Sequence, residues 1–340
     1  MSIVKSYPKV LTLGSYQTDR ALVGTVYIQE KVDGSQFRFG VDEKGGVWIG
    51  SHHCTFAPGE AAGMFKLAVD YINSIQDTVK QFKPLTTFFC EFLGKPKQNV
   101  IAYTRVPQNN LVLFDAYGPS SGWYNRVELE ATAACLGIDV VPTFKIGETS
   151  LDELRTFLTT YSFLGGDTVE GVVIKNYVEN ILENGTLRPL FVKYVRPSFK
   201  EKMDRKAGEK KETLEEYLGS FCADARWLKA IQSLVEQGKI TVSPKDIGPL
   251  IVQIKKDIIE EEEVNIKHRL YRHFINEILR RATAGFPDWY KEKLVTDLQL
   301  PAGSPPAEPG PEAIFEAQYL NQPVPAGTYT DSDGPDCFYK

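Results

Sequence analysis

The sequence predicts an α+β fold in two folded parts with a tail. Three observations support this. Short stretches of alternating polarity dominate the first part. The pattern turns almost wholly helical after about residue 200. From Pro301 the chain is rich in Pro, Gly and acids. With 340 residues, 42% apolar and 24% charged, it has material for a sizeable core and length for two domains. The expected divisions are 1–200, 201–300 and 301–340.

Residues 22–50 alternate in polarity and carry turn signals at Asp33-Gly34 and Gly45-Gly46, the pattern of antiparallel strands. Residues 59–82 have helical spacing, with Met64, Phe65, Leu67, Ala68, Tyr71, Ile72 and Ile75 as the expected buried face. Strands are expected near 85–92 and 111–117, and a helix over 125–136. Ser150 with Glu153 forms a capping-box pattern ahead of a helix over 151–161. Two apolar strands follow, 169–175 and 189–195. From 209 to 298 the spacing is helical, and Ser243-Pro244 marks one helix start. Glu260–Glu263, followed by Lys267, Arg269, Arg272, Arg280 and Arg281, reads as a solvated face with (i, i+4) pairs; RNA contact is the sharper reading. The tail is expected to be disordered or loosely attached.

The formal charge of −5 argues at first against a nucleic-acid partner, but the charge is unevenly placed. Residues 301–340 hold six acids and one base, leaving 38 of each sign elsewhere. Residues 193–211 hold eight Lys or Arg against three acids, a local basic cluster. The five cysteines are scattered and include no CxxC pair, which disfavours a disulfide framework or structural zinc and points to a reducing, intracellular compartment. The apolar runs are far short of a membrane span and the first residues lack a secretory pattern.

Five short segments suggest chemistry: Glu30-Lys31-Val32-Asp33-Gly34-Ser35, Cys90-Glu91-Phe92-Leu93-Gly94, Leu113-Phe114-Asp115, Val169-Glu170-Gly171-Val172-Val173-Ile174-Lys175 and Phe191-Val192-Lys193-Tyr194. Singly, each has an ordinary explanation. Asp33-Gly34 suits a hairpin turn, Phe114 a core position, Lys175 a snorkelling strand end and Lys193 an edge-strand guard. Together they place three amines and several carboxylates where one cleft would gather them. That set suits a triphosphate with a divalent metal.

In order and local sequence the five segments resemble the covalent nucleotidyltransferase superfamily of RNA ligases, DNA ligases and mRNA capping enzymes. Within it, Phe199-Lys200-Glu201 and the helical second part look most like the RNA ligase 2 family. The resemblance covers residues 30–195. It implies a nucleotidyltransferase domain of antiparallel sheets flanked by helices, then a smaller all-helical domain for RNA. It also implies an ATP-dependent ligase joining 5′-phosphate and 3′-hydroxyl RNA ends, with Mg²⁺, or Mn²⁺ in its place. By the same resemblance Lys31 is the nucleophile that takes AMP, and Glu30, Asp33, Gly34, Gln36, Glu91, Phe114, Lys175 and Lys193 bind the nucleotide. Glu91 is assigned to the ribose, Phe114 to the adenine, Lys193 to the α-phosphate and Glu170 to the metal. A lysine amine must lose its proton to attack, and cations such as Lys193 and Mg²⁺ are expected to favour the neutral form.

The chain departs from the family at three places. Gly50-Ser51-His52-His53-Cys54 stands where the family has an arginine, leaving His52 and His53 as candidates for the 5′-phosphate; a His pair in a polar loop reads equally well. Gln36 replaces an asparagine. Val195 replaces a second lysine, for which Arg196 or Lys200 are the candidate substitutes. Arg196, Lys200, Lys202 and Arg205 are the candidate RNA contacts. A cytoplasmic location is expected, in a host if the source is viral. The competing readings are a non-catalytic RNA-binding relative of the fold and a DNA ligase or capping-type enzyme.

Overall fold

The computed structural model describes residues 6–52, 54–57, 63–183, 185–200 and 213–296. His53, Lys202, Arg205 and the tail 301–340 lie outside the described residues. The chain divides into two compact units, Met1–Tyr271 and Arg272–Lys340. In the first, the elements in chain order are β1 (Leu11–Thr12), β2 (Val26–Lys31), β3 (Ser35–Val41), β4 (Val47–Ser51), α1 (Lys66–Ser74), α2 (Gln76–Val79), β5 (Thr87–Phe92), β6 (Leu111–Gly118), β7 (Gly122–Trp123), α3 (Arg126–Leu136), β8 (Asp139–Val140), β9 (Thr143–Gly147), α4 (Leu151–Phe157), β10 (Gly171–Glu183), β11 (Thr186–Val195), α5 (Leu214–Gly219) and α6 (Asp224–Glu236). Helix α7 (Ile247–Thr283) begins in the first unit and ends in the second, which also holds α8 (Phe286–Thr296). The fold is α+β, with antiparallel-rich sheets followed by helices, as the sequence predicts.

One sheet has the order β1-β11-β10-β2-β9 and the other β4-β3-β5-β6-β7, with β8 parallel against β6. Period-two alternation sends Phe37, Phe39, Phe88, Cys90 and Leu113 of the second sheet into a core with Phe65, Ala68 and Ile72 from the α1 region and Leu129, Ala133 and Leu136 of α3. Leu67, expected on that helical face, is instead 52% exposed; Phe65, Ala68 and Ile72 make the buried stripe without it. The first sheet buries Val26, Ile28, Val172, Ile174, Leu190 and Val192 with Leu154 of α4. A third cluster joins Val32, Leu93, Ile101, Tyr103, Val112, Val141 and Leu164.

Several elements differ from the sequence expectation. Asp33-Gly34 is not a hairpin turn: β2 pairs with β10 and β9, and β3 with β4 and β5, so the chain crosses between sheets there. Ser150 does cap α4, but the helix stops at Phe157, because Thr159 and Thr160 enter i→i+3 turns onto Thr156 and Phe157. Strands β10 and β11 run longer than expected and pair through a register shift between Asn176 and Asn180. Before α7, Ser243 and Asp246 complete a capping box around Pro244. Helices α6 and α7 are tied by Lys229–Glu261 at 2.5 Å and by the buried Arg226 with Glu262 at 3.6 Å. Among the described residues no helix is long and apolar enough to cross a membrane.

Candidate active site

Strand register explains why residues far apart in sequence meet. In the first sheet Lys31 of β2 pairs with Gly171 of β10, which pairs with Val195 of β11. The next row on the same face is Gln29, Val173 and Lys193, with Thr12 of β1 beside Lys193. A third row holds Tyr27, Lys175 and Phe191. The alternation that buries Val172 and Ile174 on one face therefore presents Lys31, Lys175 and Lys193 on the other. Gly171 permits the close approach: a Cβ there would lie 2.5 Å from the Tyr194 carbonyl oxygen. Glu170, just ahead of it, brings both carboxylate oxygens to 2.8 Å from the Lys31 Nζ.

The second sheet supplies the facing residues. Gln36 of β3, Glu91 of β5 and Val112 of β6 form one row. The register then shifts: Cys90 pairs with Leu113 but Phe89 with Asp115, leaving Phe114 as the extra residue of a β-bulge. A bulge re-aims side chains, and here Phe114 lines the cavity while its neighbour Asp115 reaches Lys175 from the same strand face. Lys175 is 1% exposed; its ammonium donates to Asp115 Oδ2 at 2.8 Å and to the Phe114 carbonyl at 2.7 Å. Tyr7 donates to the same carboxylate at 3.0 Å, with its ring edge-on to Phe114 at 5.0 Å. Burial pulls the Lys175 ammonium below its ordinary pKa and pushes Asp115 above its own. The pair is an internal strut under Phe114.

The crossover carrying Lys31 is held by residues 94–103. Asp33 Oδ2 accepts from the Val100 and Ile101 amides at 2.8 and 2.7 Å, and the Asp33 amide donates to the Tyr103 hydroxyl at 2.8 Å. Asn99 donates to the Gly34 carbonyl, and Gln98 to Ser35 Oγ, both at 2.9 Å. Gly34 is needed because a Cβ would meet the Phe92 carbonyl oxygen at 2.9 Å and Glu91 Oε2 at 3.1 Å. Glu30, buried, accepts from the Ser162 hydroxyl and, at 3.1 Å, from the Phe163 amide. Gln98, Asn99, Tyr103, Ser162 and Tyr7 escaped the sequence reading; each acts through one long-range hydrogen bond that no local pattern marks.

Between the sheets lies a cavity of about 560 Å³. Glu30, Lys31, Gln36, His52, Glu91, Phe114, Lys175 and Lys193 all line it. Lys31 is 27% exposed. Burial lowers its pKa, but Glu170, Glu91 and Asp33 outweigh burial and leave it above the ordinary lysine value. Lys193, one of the two cations expected to favour the neutral amine, does not by itself outweigh these carboxylates. In the free protein the carboxylates win, and the amine is an ammonium paired to Glu170. Burial raises the Glu91 carboxyl to about 8, against the pull of Lys31. Glu91 Oε2 is buried with no hydrogen-bond partner among the described residues.

Among the described residues no group of three His, Cys, Asp or Glu is arranged to hold a metal alone. Glu170, beside Lys31, still fits a magnesium-type ion, which takes as few as one or two protein carboxylates and completes its shell with phosphate and water.

The other expected residues fall in different places. His52 contacts Gln36 through Nδ1 at the far end of the cavity, and burial, Arg38 and Lys229 lower its pKa, favouring the neutral ring. Arg38, two residues after Gln36 on β3, pairs across the sheet with Gly50 and donates to the Ser51 carbonyl at 2.8 Å, so a cation does stand beside His52. Val195 is buried. Arg196 turns to the Thr168 carbonyl at 3.1 Å and to the Phe199 ring at 5.1 Å, and Lys200 to the Tyr194 ring at 5.9 Å; neither lines the cavity.

Comparison with curated protein sequences found no match. Among solved structures, a Naegleria gruberi RNA ligase with pyrophosphate is similar at 12% identity and TM-score 0.43, with 57% of each chain covered. A variant of that enzyme with ATP and Mn has the same identity and score at 58% coverage of each chain. A putative ATP-dependent DNA ligase from Aquifex aeolicus has 14% identity and TM-score 0.40, covering 87% of this chain and 69% of its own. The chain thus spans a little over half the length of the Naegleria enzyme. A family model described as RNA ligase matches residues 24–195, from just before β2 to the last residue of β11. That match takes in more than half of the sequence and all five motif segments, from Glu30 to Tyr194, and the chain belongs to the RNA ligase family.

Proposed function

We propose that this chain is an ATP-dependent RNA ligase that joins 5′-phosphate to 3′-hydroxyl ends through AMP bound covalently to Lys31. One observation carries the reading. The Lys31 amine, at the crossing between the sheets, opens into a single cavity with Lys193 and Glu91, and an aromatic face, Phe114, stands at one end.

Adenine stacks on Phe114, with Glu30 in the wall of its pocket and the Lys175–Asp115 strut behind. Glu91, largely protonated near neutrality, donates to or accepts from a ribose hydroxyl. Lys193 binds an α-phosphate oxygen. Lys31 leaves Glu170, loses a proton to water and attacks the α-phosphorus; the N–P bond forms, the bond to the β-phosphate oxygen breaks, and pyrophosphate departs with the electron pair. Lys193 stabilises the charge that builds on the α-phosphate. A divalent cation held by Glu170 with the phosphates would supply further neutralisation. An RNA 5′-phosphate oxygen then displaces lysine, which takes up a proton, giving a 5′–5′ AMP-capped end. The 3′-hydroxyl attacks that 5′-phosphorus, losing its proton, and AMP leaves. Gln36 and His52, which line the cavity, receive the RNA phosphate, with the Arg38 cation beside them.

Incubation with ATP and Mg²⁺ followed by intact-mass analysis should show the gain of one AMP, absent in Lys31→Ala. Labelled RNA with the two end groups should then be sealed. No gain in the parent protein would overturn the reading in favour of a non-catalytic RNA-binding role. The helices α5 and α6 that follow β11 are a further argument against a DNA ligase or capping enzyme, which carry a β-barrel there.

A further inference from the structure

Strand order gives the cavity a direction. Across the second sheet, β6, β5, β3 and the end of β4 place Phe114, Glu91, Gln36 and His52 in that sequence. A nucleotide with its base on Phe114 and its α-phosphorus at Lys31 therefore runs its remaining phosphates toward His52. That end is closed by helices. Lys229 of α6 and Glu260, Glu261 and Glu262 of α7 line the same cavity. Lys229 lies close enough to His52 to lower its pKa. Two contacts seat this helical wall: Gln232, one turn beyond Lys229 on α6, donates to the Gly34 carbonyl at 3.2 Å, and Lys9 donates to the Glu260 carbonyl at 2.6 Å. Lys229 is held by Glu261 at 2.5 Å, with 38% of its side chain exposed.

We propose that Lys229 is a substrate-binding residue for the first step, its ammonium engaging the β- and γ-phosphates of ATP and the pyrophosphate that leaves. This rests on the reading of Lys31 as the acceptor of AMP. The bond that breaks is the one between the α-phosphorus and the bridging oxygen of the β-phosphate. The electron pair goes to that oxygen, and Lys229 stabilises the charge there. A polyphosphate outcompetes Glu261 for the amine because it presents several charged oxygens instead of one carboxylate. The glutamates around Lys229 oppose triphosphate binding when the lysine is removed, so the residue carries more weight than its own contact. The later steps involve no pyrophosphate and do not need it.

The test compares two reactions in the full chain: self-adenylylation from ATP, and sealing of RNA that already carries the AMP cap, which bypasses the first step. Lys229→Ala should raise KM for ATP and slow adenylylation by about tenfold, the value of one charge-assisted hydrogen bond. Sealing of the capped RNA, which lacks the β- and γ-phosphates, should fall much less. Lys229→Arg should restore most of the loss. Glu261→Gln, which breaks the same ion pair but keeps the cation, should lower KM for ATP. Equal impairment by Lys229→Ala and Glu261→Gln would reduce Lys229 to a strut between helices and overturn the proposal, as would Lys229→Ala adenylylated at the parental rate. If the parent itself takes up no AMP, the underlying reading falls instead.

Discussion

Glu91 shows how a buried carboxyl can report on its own surroundings. Its folded pKa, raised by burial to about 8, lies above that of an exposed glutamate. The folded state therefore holds a proton that the unfolded chain gives up between about pH 4.5 and 8. The stability tied to this group is present below that window and is lost as pH rises through it. Glu91→Gln removes the titration. Relative to the parent, the variant should gain on the order of 3 kcal/mol between pH 5 and pH 9. Denaturant unfolding at the two pH values measures this; a parallel pH dependence in both proteins would refute it. Lys31 shows the opposite balance, because its carboxylate neighbours outweigh burial. The proposed attack by Lys31 therefore requires it to disengage from Glu170.

At the scale of elements, the crossover between β2 and β3 depends on the loop that clamps it. Asp33→Ala leaves the Val100 and Ile101 amides without their acceptor and should cost about 2–3 kcal/mol. Hydrogen exchange should show those two amides losing protection while the β10–β11 amides keep theirs. The strands and helices themselves were legible in sequence because period-two and 3.6-residue patterns are local. Lys31, Glu91, Phe114 and Lys193 were legible as a set because each sits in a short motif. What was not legible is pairing. Asp33-Gly34 has the composition of a hairpin turn, and only the hydrogen-bonding partners of β2 and β3 reveal a crossing between sheets. The Phe114 bulge, the Tyr7–Asp115–Lys175 strut and the helical wall over His52 are likewise products of tertiary contact.

At the scale of the whole molecule, we propose a division of labour between a cavity that handles the nucleotide and a basic stretch after β11 that handles RNA. Lys200, Lys202 and Arg205 belong to that stretch. Replacing all three with alanine should weaken RNA binding and flatten its salt dependence, since each lost phosphate contact removes about one unit from the slope. AMP uptake should persist; filter binding at several salt concentrations beside an adenylylation assay checks both. Loss of AMP uptake in equal measure would refute the division. The acidic excess of residues 301–340 explains why net charge alone speaks against the RNA partner proposed above.

The crossing at Lys31 has a mechanical side. Lys31 ends a strand of one sheet, and Ser35, four residues on, begins a strand of the other. Glu170 and Lys193 travel with the first sheet, Glu91 and Phe114 with the second. Any rocking of one sheet on the other would thus carry Lys31 past Glu91 and Phe114 while Glu170 and Lys193 move with it. Val32, next to Lys31, packs into one apolar cluster with Val112, Val141 and Leu164, and such a movement would have to slide that packing.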